Sequence, residues 1–477
     1  MKWWPEKMRA TPQGDRPDAN GAPGSRRRRV AIVGGGFGGL TAARELRHAD
    51  VDVTLVDRVH HHLFQPLLYQ VACGGLSAGE IAPPIRAALR RSPNTTVLMA
   101  EATGLDAERR RLELDGGEHL DYDSLIVACG AQTSYFGNEQ WREVTCGLKT
   151  LSDAVALRNR IYRAFERAER TDDERERGEL MTFVVIGGGP TGVEIAGEIA
   201  IVAKDTMSRD YARLDPADTR VILLDAGERV VSAFSERLSR KAAKQLASIG
   251  VTVRERARAT AIDGHGVTIE VGADERAGAP ERGGDARRHD SAQRWGDTQP
   301  SAGAQERIAA RTVIWAAGVH AVGFAATLVA ATGASADRAG RVRIEPDLTV
   351  PGHHEISIIG DAALLSESNG KALPGLATVA IQQARHVASA IRSGAPGAST
   401  PFRYFDKGAL AVVGRGRAVC EIRGLGLSGR PAFFTYLTVH MYYLGGVPGQ
   451  RLKVLIDWVT ARLGKLQNQV IEGELEP

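Results

Sequence analysis

Residues 28–58 read RRVAIVGGGFGGLTAARELRHADVDVTLVDR, and their pattern decides the fold. An apolar strand, Val30 to Val33, runs into Gly34-x-Gly36-x-x-Gly39. A helix follows, and a second strand ends at Asp57. Strand, glycine turn, helix and acid-ended strand in that order make the glycine motif specific for a dinucleotide-binding α/β unit. Glycine lets backbone N–H groups approach a pyrophosphate at the helix N-terminus, where the peptide dipoles favour negative charge. Asp57, about 20 residues on, is placed to accept from a ribose hydroxyl.

The pattern recurs. TFVVIGGGPTGVEIAGEIA gives strand Phe183 to Ile186, then Gly187-x-Gly189-x-x-Gly192, and VILLD ends a later strand at Asp225. Here glycine and acid are about 36 residues apart, so the helix is extended or followed by an excursion. Two such units imply two nucleotides, most economically one flavin and one nicotinamide. DYDSLIVACGA (121–131) and ARTVIWAAGV (310–319) are apolar strands ending in small-residue turns. EISIIGDAALL places Gly360 and Asp361 where they reach a ribityl or phosphate group. Residues 272–307 are charged and of low complexity, and read as a surface insertion.

Composition excludes several classes. The chain has 477 residues, a formal net charge of +4 and 43% apolar residues, enough for two or three cored domains. Its Pro/Gly-rich first 27 residues read as a disordered tail with no secretory apolar stretch, and no window of 18 apolar residues appears. The four cysteines, Cys73, Cys129, Cys146 and Cys420, form no close pair, which argues against a disulfide scaffold, a zinc knuckle or a dithiol centre and points to a reducing compartment. Nothing marks a nucleic-acid partner.

One stretch resists that frame: HHHLFQPLLYQVACGG, residues 60–75. Adjacent His60, His61 and His62 cannot converge on one ion from a single strand, so no metal is expected. Solvated or hydrogen-bonded rings at a strand end are the favoured reading. The lone thiol of Cys73 cannot cycle as an intramolecular disulfide.

The doubled glycine motif, the small-residue turns and IGDAA resemble the flavoproteins with two dinucleotide-binding domains. Within them, HLFQPLLYQVA, GGGPTGVEIAGEIA and PGLATVAIQQARHVA, followed by a basic apolar tail, resemble the type II NADH dehydrogenases over residues 28–465 apart from the insertion. The resemblance implies an α/β protein of two Rossmann-like domains, glutathione-reductase-like, with a C-terminal membrane-associating helical segment. The implied division is FAD domain 28–147 and 326–400, NADH domain 148–325 and membrane-associating region 401–477. Non-covalent FAD in the first unit, NADH in the second and a membrane quinone as final acceptor are implied, without proton pumping. For FAD the implied residues are Gly34, Gly36, Phe37, Gly38, Gly39, Asp57, Arg58, Ala128, Gly360, Asp361, Ala377, Thr378 and Val379. For NADH they are Gly187, Gly189, Pro190, Thr191, Gly192, Asp225, Ala317 and Gly318. With no arginine directly after Asp225 to pair a 2′-phosphate, NADH is expected over NADPH, although Arg229 lies close by.

The resemblance also makes the 60–75 loop a wall of the flavin and its quinone-facing side, with Gln65 in it, and gives Glu194 a proton-handling role. A plain helix-end carboxylate reads equally well from the residues. The family motif A-Q-x-A-x-Q has Thr378 at its first glutamine here, while Gln382 keeps the second place and the implied quinone-side hydrogen bond. From 401 to 465 ten Lys/Arg face three acids, and Leu452, Leu455, Ile456, Val459 and Leu463 fall on one helical face. Such a stripe suits a non-spanning anchor at the cytoplasmic face of the cell membrane, or a core or dimer helix. His440, on an apolar face with Leu437 and Leu444, reads as a packed histidine rather than a ligand. A homodimer stays open, as do a soluble reductase of a ferredoxin-like carrier and a non-catalytic NADH sensor.

Overall fold

The computed structural model describes residues 26–206, 210–272, 305–366, 370–394, 400–444 and 449–462. Most of the tail, all but the ends of the insertion, and Leu463 therefore lie outside the described residues.

The chain builds two sheets in succession, the first parallel but for its antiparallel edge strand and the second wholly parallel. Strand β1 (Arg28–Val33), helix α1 (Phe37–Glu45) and strand β2 (Val51–Asp57) come first. The short helices α2 (Leu68–Ala72) and α3 (Ala78–Ile81) follow, then β3 (Thr95–Met99) and β4 (Ser124–Val127). Helix α4 (Leu151–Arg170) leads to the second unit: β5 (Thr182–Ile186), α5 (Pro190–Ile201), β6 (Arg220–Leu224), α6 (Glu236–Ser248), β7 (Val251–Arg254) and β8 (Thr312–Trp315). The chain then returns to the first sheet through β9 (Thr349–Val350), β10 (His353–Ile358) and α7 (Ala377–Arg392).

Strand order is β9-β10-β4-β1-β2-β3 in the first sheet and β7-β6-β5-β8 in the second. The glycine-turn strand thus lies, in each, between the acid-ended strand and a strand ending in small residues. Register finishes the alignment. Val33 pairs with both Val56 and Val127, so Gly34, Asp57 and Ala128 emerge side by side. Ile186 pairs with Leu224 and Trp315, which brings out Gly187, Asp225 and Ala316 in the same way. Helices on the sheet faces bury these strands, which is why they read as continuous apolar runs.

The strands flanking the insertion, Gly266–Val271 and Gln305–Ala309, pair antiparallel, so the insertion connects two hydrogen-bonded neighbours. The C-terminal stretch departs from the helical segment expected for it. Strands β11 (Ala409–Gly414), β12 (Arg417–Ile422) and β13 (Leu425–Ser428) form an antiparallel sheet before α8 (Arg430–Tyr443) and α9 (Gln450–Arg462). Strand β11 lies so close to α5 that a Cβ on Gly197 would stand 2.1 Å from the Val413 carbonyl oxygen. Val412, Val419, Ala432, Tyr436 and Val454 share one core with the 64–72 loop and α5. Two short apolar runs, Ala409 to Val413 and Ala418 to Cys420, separated by Gly414-Arg415-Gly416, are a hairpin signal that the positive charge overshadows. Among the described residues no helix is long and apolar enough to cross a membrane.

Candidate functional site

The first glycine turn is built by close approach. Gly34 has φ +103°, donates its N–H to the Val56 carbonyl at 2.8 Å, and leaves no room for a Cβ, which would lie 2.3 Å from the Ala128 oxygen. A Cβ on Gly39 would stand 1.8 Å from the Gly34 oxygen. Gly36 differs: a Cβ there would meet nothing within 4 Å. The space before α1 is open, and the first-turn amides facing it have no intrahelical acceptor. Asp57 takes the Gly35 N–H at 2.5 Å and the Val59 N–H at 2.8 Å. A carboxylate offers about four acceptor sites, so capacity remains for a ribose hydroxyl. This open cradle fits a dinucleotide pyrophosphate. Arg58 is exposed beside Glu101, 3.8 Å away.

The second turn repeats the first. Gly187 has φ +110° and bonds the Leu224 oxygen at 2.8 Å. A Cβ on Gly192 would stand 1.8 Å from the Gly187 oxygen, while one on Gly189 would meet nothing. Asp225 accepts from Gly188 N–H at 2.5 Å and from Gly227 N–H at 2.6 Å. Residues between α5 and β6 take up the longer spacing, so Asp225 occupies the place of Asp57. Pro190 begins α5, with Thr191 after it. Ala317 and Gly318 follow β8, and the Phe136 ring covers Gly318 so closely that a Cβ would meet it at 2.3 Å. Arg229 donates to the Ser232 carbonyl at 3.1 Å.

The three histidines part company. His62 turns inward, and its Nδ1 lies 2.9 Å from the Gly35 carbonyl, which only accepts, so that nitrogen carries the proton. Burial holds its pKa down at about 4, with the Gly35 hydrogen bond opposing, so the ring is neutral. It meets Phe37 edge-on at 5.2 Å, and Phe37 meets Phe64 at 5.7 Å. His60 and His61 stay outside this cluster.

Between the two turns, the 60–72 loop and α7 close the site. Gln65 donates to the Lys149 carbonyl at 3.2 Å, and the Lys149 ammonium lies 3.6 Å from Asp361. Gly360, at φ +73°, donates its N–H to Gln383 at 2.7 Å. The buried glutamine of α7 is therefore Gln383; Gln382 clasps the Phe405 backbone at both ends, 3.0 Å each. Thr378 pairs with the Tyr404 hydroxyl at 3.0 Å. Ala377, Thr378 and Val379 form the first turn of α7. Lys149 escapes sequence reasoning because it sits in no recognisable motif. Gln383 is separable from Gln382 only by which helical face is buried.

Beneath the loop lie a half-buried acid with its carboxyl drawn inward and two buried phenols. Glu194 on α5 is pushed up to about 8 by burial, against one hydrogen bond from Val412 N–H at 3.3 Å. It is therefore protonated at neutral pH. Tyr69 and Tyr436 bring their hydroxyls to 3.4 Å, and burial, reinforced by neighbouring carboxylates and, at Tyr436, by Tyr69, raises both well above the ordinary phenol range. Cys73 is buried as well, and its thiol is pushed well up by burial and then by Glu198. It is far from a reactive thiolate. A perturbed acid beside hydroxyls at a domain junction is the arrangement of a site that handles protons.

Comparison with known proteins places the chain in two steps. The family model of the pyridine nucleotide-disulphide oxidoreductases matches residues 28–384. A type II NADH:quinone oxidoreductase of Mycobacterium tuberculosis is 40% identical over 93% of this chain and 90% of its own length. A second from the same organism is 39% identical over 93% and 89%. The chain therefore belongs to the type II NADH:quinone oxidoreductase family. A solved NDH2 of Plasmodium falciparum in complex with NADH shares the fold at a TM-score of 0.78, with 18% identity over 92% of this chain and 98% of that one.

Proposed function

We infer that this chain oxidises NADH and passes two electrons to a membrane quinone through a non-covalent FAD, without pumping protons. FAD, when bound, supplies a carrier that accepts hydride from a nicotinamide and yields electrons to a quinone. The first glycine turn, Asp57, Arg58, Ala128, the Gly360–Asp361 turn and the first turn of α7 would hold it. The second turn, Asp225, Ala317 and Gly318 hold NADH. Glu194, protonated at neutral pH and close enough to perturb both tyrosines, is the proton store of the site. Gln65 frames the loop edge, and Gln382 fixes the chain after α7 by clasping the Phe405 backbone. The observation that supports this reading most is the convergence of Tyr69, Tyr436 and the neighbouring Glu194 where related reductases would need a cysteine pair, with Cys73 buried and unpaired with another cysteine.

The exposed Leu452, Leu455, Ile456 and Val459, with Arg451 and Lys453 beside them, suit a peripheral seat on the cytoplasmic face of the cell membrane. Steady-state NADH oxidation with a water-soluble short-chain quinone tests the assignment. Turnover with quinone is expected. NADH-to-ferricyanide turnover without quinone turnover would overturn it.

A further inference from the structure

We propose that Trp458 of α9 is a positioning residue for the quinone half of the reaction: its indole N–H fixes the direction of a hydrogen-bond chain that turns the Tyr69 and Tyr436 hydroxyl protons toward an acceptor. This rests on the proposed function, in which quinone meets the 65–72 loop.

The hydrogen-bond chain is continuous. Trp458 Nε1 donates to Gln70 Oε1 at 2.8 Å, and Gln70 Nε2 donates to the Tyr69 hydroxyl at 2.9 Å. Tyr69 lies 3.4 Å from the Tyr436 hydroxyl, which in turn donates to the Pro66 carbonyl at 3.4 Å. Both ends have one role only. An indole N–H cannot accept and a carbonyl cannot donate. With Trp458 donating, Gln70 must present its oxygen to the indole and its NH₂ to Tyr69. The Tyr69 oxygen then accepts, so its proton points to Tyr436, whose own proton points to Pro66. An amide side chain is otherwise free to turn end for end, and only Trp458 settles which end faces the phenol.

The last two links are long for O–H···O bonds, which favour about 2.7–2.8 Å. A guest carbonyl can therefore capture a phenolic proton at small cost, and a quinone carbonyl is such a pure acceptor. Helix α9 is well placed to hold this direction. Val454 is buried, and Gln450 donates to the Glu80 carbonyl at 2.6 Å, which ties the helix to α3 beside the loop. Its opposite face carries the exposed Leu452, Leu455, Ile456 and Val459. The helix that offers the apolar stripe therefore also orients the loop from inside.

The test uses the FAD-loaded enzyme with Trp458→Phe, which keeps a ring and loses the N–H. The short-chain quinone KM should rise roughly three- to tenfold, the worth of one ordinary hydrogen bond. The kcat, NADH KM, ferricyanide rate and melting temperature should hold. Equilibrium binding of a non-reducible quinone analogue, without NADH, should weaken by the same factor. Gln70→Glu, whose carboxylate only accepts, forces Tyr69 to donate backwards and should give the same KM with Trp458 intact. The double variant should add nothing further. Parental quinone KM in Trp458→Phe, additive losses, or an equal fall in ferricyanide rate and melting temperature would each overturn the proposal. Tyr69→Phe separates the two levels. If it raises the quinone KM while Trp458→Phe is silent, only the role of Trp458 fails; if both are silent, the quinone does not meet this loop.

Discussion

The two glycine turns have the same geometry but not the same surroundings. In both, an acid at the end of the next strand accepts from the middle glycine of the turn, with 22 residues separating that pair in the first case and 37 in the second. Sequence spacing is therefore a poor guide to the second acid, because spacing counts the excursion after α5 while the sheet register ignores it. What differs is the cover. The first turn is roofed by Phe37, His62 and Phe64 of its own unit. The helix of the second turn carries Glu194 and is roofed by the C-terminal strand β11, packed against Gly197. The second unit is completed by a strand 218 residues beyond Glu194.

The largest effect should come from breaking the shared geometry. Gly39→Ala or Gly192→Ala drives a methyl into a backbone oxygen from 1.8 Å, and should leave little folded protein in expression and circular dichroism. Gly36→Val and Gly189→Val should fold, because a Cβ meets nothing there. The first should purify without flavin colour, and the second should keep flavin but lose NADH affinity. Deleting the chain after residue 400 should also be severe. It uncovers α5 and frees Glu194, so flavin-free or aggregated protein is expected by gel filtration and absorbance. A soluble, yellow, ferricyanide-active truncation would show instead that the second unit closes by itself.

Glu194 gives the next largest effect, read through pH. Its folded value of about 8 lies above the ordinary carboxylate value, so the fold binds an extra proton between about 4.5 and 8. Stability from this group is full below that window and is lost as pH rises through 8. Glu194→Gln should flatten this part of the stability-against-pH curve in denaturant melts, and a curve of unchanged slope would contradict it. Asp225→Ala is milder. It should raise the NADH KM by roughly ten- to a hundredfold, the worth of one charge-assisted hydrogen bond, with flavin content unchanged and NADPH the poorer substrate of the parent. Smallest of all, Leu455→Asp with Val459→Asp should reduce liposome binding in flotation without touching ferricyanide activity, because both side chains are about half exposed.

Much of this architecture is legible in the amino-acid sequence. Both glycine turns, Asp57 and the strands that flank them follow from local pattern, since short-range sterics dictate them. Tyr69, Gln70 and Cys73 stand out as a loop without a cysteine pair. Tyr436, His440 and Trp458 cannot be assigned to the site in the same way, because their meeting with that loop depends on docking across hundreds of residues. His440 shows the difference well. Its spacing from Leu437 and Leu444 predicts a packed histidine, and it does stack on Tyr436 at 3.7 Å with burial holding it neutral near 4. Local spacing reveals that it packs, but not that it packs beneath the candidate quinone site.

Whether electrons leave this protein without a dithiol is tested most directly by one anaerobic titration. Flavin-loaded Cys73→Ala protein is bleached with one equivalent of NADH, then mixed with a water-soluble short-chain quinone while the yellow absorbance is followed. Full return of colour at the parental rate is expected, two electrons per flavin. Flavin that stays bleached in the variant while the parent recovers would show that the thiol carries electrons after all.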